Sequence, residues 1–299
     1  MMKSIRNLLR QDREKYVIPR RVQDVIPIQK IWEDGIFLTG GRYAKTFRFT
    51  DINYQVASEP DKEKMFRGYS ALINSLDCGA TTKITIFNHK MSQINFEKSI
   101  LMPMQWDGLD DYREEYNQML LDKATNGNGI VQEKFLTVSV RKKDVDAARS
   151  FFARVEADLS SHFAALGSTC GSMNAIGRLQ ILHRFYRRGE ENEFRFSLRD
   201  SARKGHSFRD YICPDSIERH SDYLQIGDRF ARVLYLKDYA SYIQDDFVSE
   251  LTDLNRDMML SIDMVPIPTD EAVREVENRL LGVETNITNW QRRQNSNSK

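Results

Sequence analysis

Residues 135–167 read FLTVSVRKKDVDAARSFFARVEADLSSHFAALG. The beginning of this stretch alternates apolar with polar residues, which is typical of a strand with one buried face. Asp144 can then cap a helix, in which apolar residues recur every three or four positions until Gly167. The stretch therefore predicts a strand followed by a long amphipathic helix. Its apolar positions are Leu136, Val138 and Val140 in the strand and Val145, Ala148, Phe152, Val155, Leu159, Phe163 and Leu166 in the helix.

The residues on the N-terminal side of this stretch predict more elements of the same kind. Residues 81–88 alternate isoleucine with polar residues and predict a half-buried strand. A helix with one apolar face is expected to begin near Ser58 and to end before Gly79. Two further strands, 35–38 and 43–50, are expected to form a hairpin, because adjacent glycines between them suit a tight turn.

The order strand, helix, strand occurs twice along the chain. Short βαβ passes, without a long all-β or all-α run, predict an α+β fold. We expect ferredoxin-like βαβ units in two lobes, with a long C-terminal connector helix. The first pass comprises 48–52, 72–77 and 83–86, and the second comprises 234–238, 251–255 and 260–263.

The expected organisation has four parts. A basic N-terminal segment covers residues 1–30, and the first α+β lobe covers 31–167. The small, polar residues after Gly167 suggest a boundary, so the second α+β lobe is placed at 168–268. Residues 269–299 form the connector helix, which is expected to lead toward a motor domain outside this chain.

The connector helix carries a heptad pattern, in which apolar residues are separated alternately by three and four positions. Prolines precede it, Thr269 can cap it, and acidic residues follow in its first turn. Such a stripe can pair with a partner or a second domain, and it can also pack on its own domain. We expect the pairing, through Val276, Leu280, Val283, Ile287 and Trp290, in a line that begins at Val273.

The composition is that of an ordinary folded protein, with 44 basic and 43 acidic residues. This balance does not imply strong nonspecific binding to nucleic acid. The three cysteines are far apart and suit a reducing compartment. No secretory signal or membrane-spanning run is recognisable, so a cytoplasmic protein, or one peripheral to a membrane, is expected.

No constellation of catalytic residues can be recognised. The segment GGRYAKT at 40–46 ends like a phosphate-binding loop, but it lacks the required glycines and precedes a strand. The even spacing of His206, Cys213 and His220 does not match zinc ligands. Cysteine–histidine pairs can be drawn, but without a local signature. Those pairs would join Cys170 or Cys213 to His162 or His183.

A basic tract at 178–209 contains nine basic and four acidic residues, with aromatic residues among them. This composition is typical of surfaces that bind single-stranded nucleic acid, although strand-like spacing explains part of it as packing. Single-stranded DNA or substrate binding is therefore kept as an alternative function. Its candidate contacts are Arg187, Arg188, Arg195 and Arg203.

Several long stretches resemble one family. TDINY at 50–54, GATTKITI at 79–86, YREEYN at 112–117, NRDMMLSID at 255–263, PTDEA at 268–272 and NWQRR at 289–293 carry the resemblance. They are similar to the N-terminal region of the conjugative-transfer ATPases of type IV secretion systems, the CagE/TrbE/VirB family. The likeness is greatest to the branch carried by integrative conjugative elements of Gram-positive gut bacteria, and it covers essentially the whole chain.

The resemblance implies a non-catalytic docking and assembly domain. In that family the nucleotide site lies in a later motor domain, so ATP and Mg²⁺ are expected there and no cofactor here. The implied partners are inner-membrane components of the conjugation channel, the protein's own ATPase domain and further copies of the chain. Peripheral attachment to the inner face of the cell membrane is expected to use the basic start, at Arg6, Arg10, Arg13, Arg20 and Arg21.

Overall fold

The computed structural model describes most of the chain. The described residues are 19–52, 54, 56–76, 79–90, 101–126, 130–238, 244 and 246–297. Side chains are described in these ranges except at 123–126, 269, 284–286 and 288–297.

The described strands fall into two sheets. They are β1 (Ile28–Ile31), β2 (Phe37–Thr39), β3 (Arg42–Phe49), β4 (Ala80–Lys90), β5 (Ile130–Val140), β6 (Cys170–Ser172), β7 (Ile217–Arg219), β8 (Leu224–Ile226), β9 (Arg229–Ala231) and β10 (Met258–Met264). The helices of the same residues are α1 (Glu59–Ser75), α2 (Asp110–Asn126), α3 (Val145–Ala165), α4 (Ala175–Tyr186), α5 (Leu198–Lys204), α6 (Phe247–Thr252) and α7 (Thr269–Asn297). Helices and antiparallel sheets occur together, so the predicted α+β class is confirmed.

The larger sheet has the order β1-β2-β3-β5-β4-β10. β2 and β6 pair with the same edge of β3: β2 pairs with residues 42–44 and β6 with residues 47–49. All of its pairs are antiparallel. The connection β3–α1–β4–β5–α3–β6, with β5 between β3 and β4, is the split βαβ arrangement of ferredoxin-like folds. The first predicted pass therefore forms the expected unit.

The second predicted pass differs from the structure. Residues 232–237 lie outside any described strand, and β10 pairs with the edge of β4, with Ile262 opposite Ile84. β10 has the alternating pattern of a strand that buries one face, and β4 offers it an open edge. The boundary proposed between 167 and 168 does not divide the sheet, because β6 and β10 both belong to it.

The main core lies between the sheet and helices α1 and α3. Its central side chains, Phe47, Leu72, Leu136, Phe152 and Leu159, are at most 2% exposed. Leu136, Phe152 and Leu159 occupy positions that the strand and helix periodicities predict. The Asp144 cap is also confirmed, because its carboxylate accepts a hydrogen bond of 2.8 Å from the backbone N–H of Ala147.

A second apolar cluster joins the β1–β2 hairpin to α4. It includes Ile28, Phe37 and Leu179, and partly buried Phe194 packs against it. The guanidinium of Arg178 lies 3.9 Å from the centre of the Phe37 ring and donates to the carbonyl oxygens of two residues of the hairpin region. These acceptors are Gly35 (2.8 Å) and Ala44 (2.7 Å). The cluster fixes the start of the basic tract to the sheet.

Candidate interaction surfaces

Helix α7 is the longest helix among the described residues, and 29 residues at 1.5 Å each give it a length of about 44 Å. It begins after Pro268, whose carbonyl oxygen accepts hydrogen bonds from the backbone N–H groups of Glu271 and Ala272. Asp270 and Glu271 lie in its first turn, where the positive end of the helix dipole stabilises acidic residues. The sequence thus specifies where this helix starts.

The predicted apolar line along α7 is exposed. We call Val273, Val276, Leu280, Val283 and Ile287, together with Trp290, the α7 seam; the side chain of Trp290 lies outside the described part. The five described side chains are 50–65% exposed. Their role as contacts stays a prediction, but a line of large apolar side chains in water is typical of an interaction surface.

Charged residues on the flanks of α7 pair within the helix. Arg274 and Asp270 lie 3.0 Å apart, and Arg279 and Glu275 lie 2.9 Å apart, each pair separated by one helical turn. Such exposed pairs add only about 0.3–0.5 kcal/mol each to the stability of a helix. The apolar seam, rather than these pairs, carries the capacity of α7 to bind.

A second apolar surface follows the small sheet of β7, β8 and β9. Val233, Leu234 and Tyr235 are 76–82% exposed, and Phe230 is also exposed. An apolar run predicts a strand here, but none of the described strands pairs with it. It is an exposed apolar segment that follows β9, an outer strand of the small sheet, and exposed apolar segments are typical of interaction surfaces.

A third exposed surface surrounds the start of the acidic helix α2, where Trp106, Leu109 and Tyr112 are exposed. Arg113 donates to the carboxylates of Asp107 and Asp110 and thereby fixes this turn. The hydrogen bond from Arg113 lowers the pKa of Asp107 to about 2. Asp107 therefore stays ionised and paired with Arg113 at neutral pH.

The basic start is only partly described. Arg6, Arg10 and Arg13 lie outside the described residues. Arg20 and Arg21 are exposed, and the backbone N–H of Arg21 donates to the Asp24 carboxylate. Exposed arginines at this position are compatible with attraction to an anionic surface.

The arginines of the basic tract fall into two groups. Arg187 contacts Glu190 (2.6 Å) and Asp215 (3.2 Å). Arg188 contacts Glu191 (3.1 Å) and makes two hydrogen bonds to Asp257. Both side chains are largely buried, so they hold the fold together.

The other two candidates of the tract are exposed. Arg195 is exposed, and Arg203 is 78% exposed with Asp200 at 3.8 Å. The tract therefore offers fewer open cations to a phosphate backbone than its composition suggested.

Replacement of Arg188 by alanine is expected to lower the free energy of unfolding by about 1.5–3 kcal/mol, the usual contribution of hydrogen bonds between charged groups. Arg203→Ala, at an exposed site, is expected to change it by less than about 0.5 kcal/mol. Denaturant titration would measure both. Equal, small effects would show that Arg188 is free to contact a ligand, as the DNA-binding alternative requires.

One feature of the site was not foreseen, a buried carboxylate surrounded by cations. Glu133 on β5 is 7% exposed and accepts hydrogen bonds from His89 Nε2 (3.0 Å) and Arg184 Nη1 (2.6 Å). Arg48 lies 3.2 Å from its other oxygen. Burial alone would raise the pKa of Glu133, but the His89 hydrogen bond and the arginine charges outweigh it, and the pKa lies below its ordinary value. Arg184, a member of the basic tract, is therefore bound to a residue of the sheet.

An apolar cavity of about 390 Å³ opens between the sheet and α1. Its wall includes Phe49, Phe66, Tyr69 and Phe163, and Lys134 and Asp51 pair close to its rim. Burial raises the pKa of Tyr69, whose hydroxyl contacts the sulfur of Met264 at 4.0 Å. Among the described residues of this wall, none forms an acid–base pair suited to chemistry on a ligand.

The described thiols are poor nucleophiles. Burial and the nearby Glu156 carboxylate raise the pKa of Cys170 to about 11, and burial also raises the pKa of Cys213. Both ring nitrogens of His183 lie 2.9 Å from backbone carbonyl oxygens, so neither is oriented toward a thiol. Within the described part of the chain, no group of three or more His, Cys, Asp or Glu is placed to hold a metal ion.

Comparisons with known proteins add no relative. No protein-family model matches this chain, and no curated protein sequence matches it. Among the helices of the described residues, none combines the length and apolar character needed to cross a membrane. The interpretation of the surfaces therefore rests on their own chemistry.

Proposed function

We propose that this chain is the non-catalytic N-terminal docking and assembly region of a conjugative type IV secretion ATPase. Such a region attaches the motor to inner-membrane components of the transfer channel. The observation that carries the proposal is the exposed α7 seam, whose five described side chains leave half or more of their surface in water. A surface of this kind supports a role in binding other proteins.

The stretches that resemble the conjugative ATPases belong to elements that support one another. GATTKITI lies largely in β4 and NRDMMLSID largely in β10, and these two strands are paired along seven positions. The connector resemblance falls on α7, which follows β10 directly. This arrangement supports a role in which the sheet anchors α7 and α7 carries the contact.

In the proposal, this chain catalyses no reaction. The GGRYAKT segment contains the β2–β3 turn and the start of β3, with Gly40 and Gly41 both at positive φ. A tight hairpin does not have the helix N-terminus that phosphate-binding loops use. In the proposal, ATP and Mg²⁺ bind the motor domain.

Attachment to the membrane is proposed to be peripheral and to use the basic start. Each well-placed Lys or Arg near an anionic leaflet contributes about 1 kcal/mol. Several such residues in residues 1–30 would give weak, salt-sensitive binding. That contribution assists docking but does not replace the contacts of the seam.

The proposal is tested by Leu280→Asp together with Ile287→Asp. Placing carboxylates in an apolar interface leaves them without water or a partner, so association with the channel components and the motor is expected to weaken more than tenfold. Co-purification from cells that carry the transfer system measures this, with transfer frequency as a second readout.

A matched control is Asn278→Asp together with Thr285→Asp. These positions have the same seven-residue spacing and gain the same charge, but they lie opposite the seam in the heptad. The control is expected to assemble normally. Normal assembly of the Leu280/Ile287 variant would contradict the proposed function.

A further inference from the structure

We propose that the α7 seam pairs with the α7 seam of further copies of this chain, in a parallel and in-register coiled coil. This inference rests on the proposed docking role of α7 and names its partner. It follows from the heptad positions of the charged residues beside the seam, together with the exposure of the seam itself.

The seam divides into the two core positions of a heptad. Val273, Leu280 and Ile287 occupy position a, and Val276, Val283 and Trp290 occupy position d. In a parallel coiled coil each a residue meets the same a residue of its neighbour, and each d residue meets its own counterpart. All six core positions are apolar, so an in-register pairing leaves no polar residue in the core.

The flanking positions decide the orientation. Position e holds Glu277, Glu284 and Gln291, whereas position g holds Arg279, Asn286 and Arg293. Parallel strands bring each g residue near the e residue of the following heptad on the neighbour, so that Arg279 meets Glu284. Antiparallel strands bring e against e and g against g, which places Glu277 beside Glu284 and leaves Arg279 without an acidic partner. Charge complementarity therefore favours the parallel arrangement.

The branching of the core residues bears on the number of strands. Leucine at d favours two strands, whereas β-branched residues at d favour three or more. Val276 and Val283 are β-branched, and none of the d positions holds leucine. We therefore infer an assembly of more than two copies.

In the proposed coiled coil, Arg279 changes its partner from a residue of its own helix to Glu284 of a neighbouring copy. It pairs at 2.9 Å with Glu275 of its own helix, and the side chains of this pair are 61% and 24% exposed. A pair four residues apart within one helix contributes little, and the Arg279 side chain is well exposed, so Arg279 can turn to a neighbouring chain. The described geometry thus has the cation at the flank where the parallel model needs it.

Charge exchange distinguishes a second copy from any other partner. Arg279→Glu alone, and Glu284→Arg alone, would each place like charges at the g–e contact and are expected to raise the dissociation constant of self-association about tenfold. The double variant restores opposite charges only if both sides of the contact come from this chain. It is expected to return to within about threefold of wild type.

Sedimentation equilibrium of the full chain at about 10–100 μM would measure these constants. Circular dichroism would show that each variant keeps its helix. A monomeric wild type would overturn the inference, and so would a double variant that binds no better than the single variants, because only a contact between two copies of this chain is restored by the swap.

Cysteine cross-linking tests the orientation independently. Val276→Cys is expected to form a disulfide between copies under mild oxidation. In an antiparallel pair centred on the seam, residue 276 of one copy would lie level with residue 287 of the other, so the two residues 276 would be about 17 Å apart, from eleven residues at 1.5 Å. Asn278→Cys, on the outer face, and the wild-type chain with its native cysteines are the controls. Cross-linking no faster than at Asn278→Cys would overturn the parallel model.

These outcomes are separable from failure of the proposed function. A chain that does not self-associate but still binds the channel or the motor through the seam refutes only the parallel self-pairing. A seam variant that assembles normally with those partners refutes the docking role itself.

Discussion

Replacing Glu133 by glutamine is expected to lower the free energy of unfolding by about 2–4 kcal/mol. Removal of one member of a buried ion pair costs 3–5 kcal/mol, because the remaining charge is left without compensation. Here the cost is reduced, since the side chain of Arg48 is 59% exposed and can regain water. Arg184 and His89 are much less exposed and lose their acceptor. Urea titration of both proteins measures the difference.

The same substitution at an exposed pair is the control. Glu63 pairs with Arg67 one turn along α1, and both side chains are well exposed. Glu63→Gln is expected to cost only about 0.3–0.5 kcal/mol. Equal costs at Glu133 and Glu63 would contradict a structural role for the buried cluster.

The pH dependence follows from the lowered pKa of Glu133. A carboxylate whose folded pKa lies below its unfolded value stabilises the protein above the unfolded value, and this contribution is lost as the pH falls through the folded pKa. Wild type and Glu133→Gln should therefore differ most above about pH 5 and converge as the solution becomes more acidic. A difference that is constant with pH would assign the effect to packing rather than charge.

The periodic elements of the fold could be predicted from the sequence. β5 and α3 have clear patterns, and their side chains form the core on one face of the sheet. The βαβ pass that surrounds β5 could be predicted for the same reason, since each element buries one face. A periodic pattern indicates which face of an element is buried, and each of these elements buries a single face.

Elements held mainly by backbone contacts could not be predicted. β6 is three residues long, and its pairing with β3 uses main-chain hydrogen bonds that leave no side-chain pattern. Residues 168–174 therefore suggested a boundary although they complete the ferredoxin-like unit. At residues 232–237 the error was the opposite one: a strand was expected where the structure has none. An apolar run becomes a buried strand only when another surface is present to cover it.

The buried cluster around Glu133 has a signal in the sequence. Glu133 and Phe135 share one face of β5, and Phe87 and His89 share the same face of β4. Both aromatic residues are buried. A charged residue in phase with buried aromatics is expected to have a buried partner. Arg184 of the basic tract is that partner, which also explains why composition overstated the DNA-binding surface.

Gly35→Ala is expected to destabilise the protein by more than about 3 kcal/mol, because two costs coincide. Gly35 has φ +81°, where a side chain is strained, and a Cβ there would lie 1.9 Å from the carbonyl oxygen of Met173. That carbonyl cannot easily move, because Met173 N donates to Thr46 O at 2.9 Å and Asn174 caps α4.

Gly41→Ala is the control that separates the two costs, since Gly41 has φ +71° with no atom within 4 Å of its Cβ position. It should lose only about 1–2 kcal/mol. Denaturant titration compares them, and equal losses would show that the contact between the β1–β2 turn and Met173 can relax.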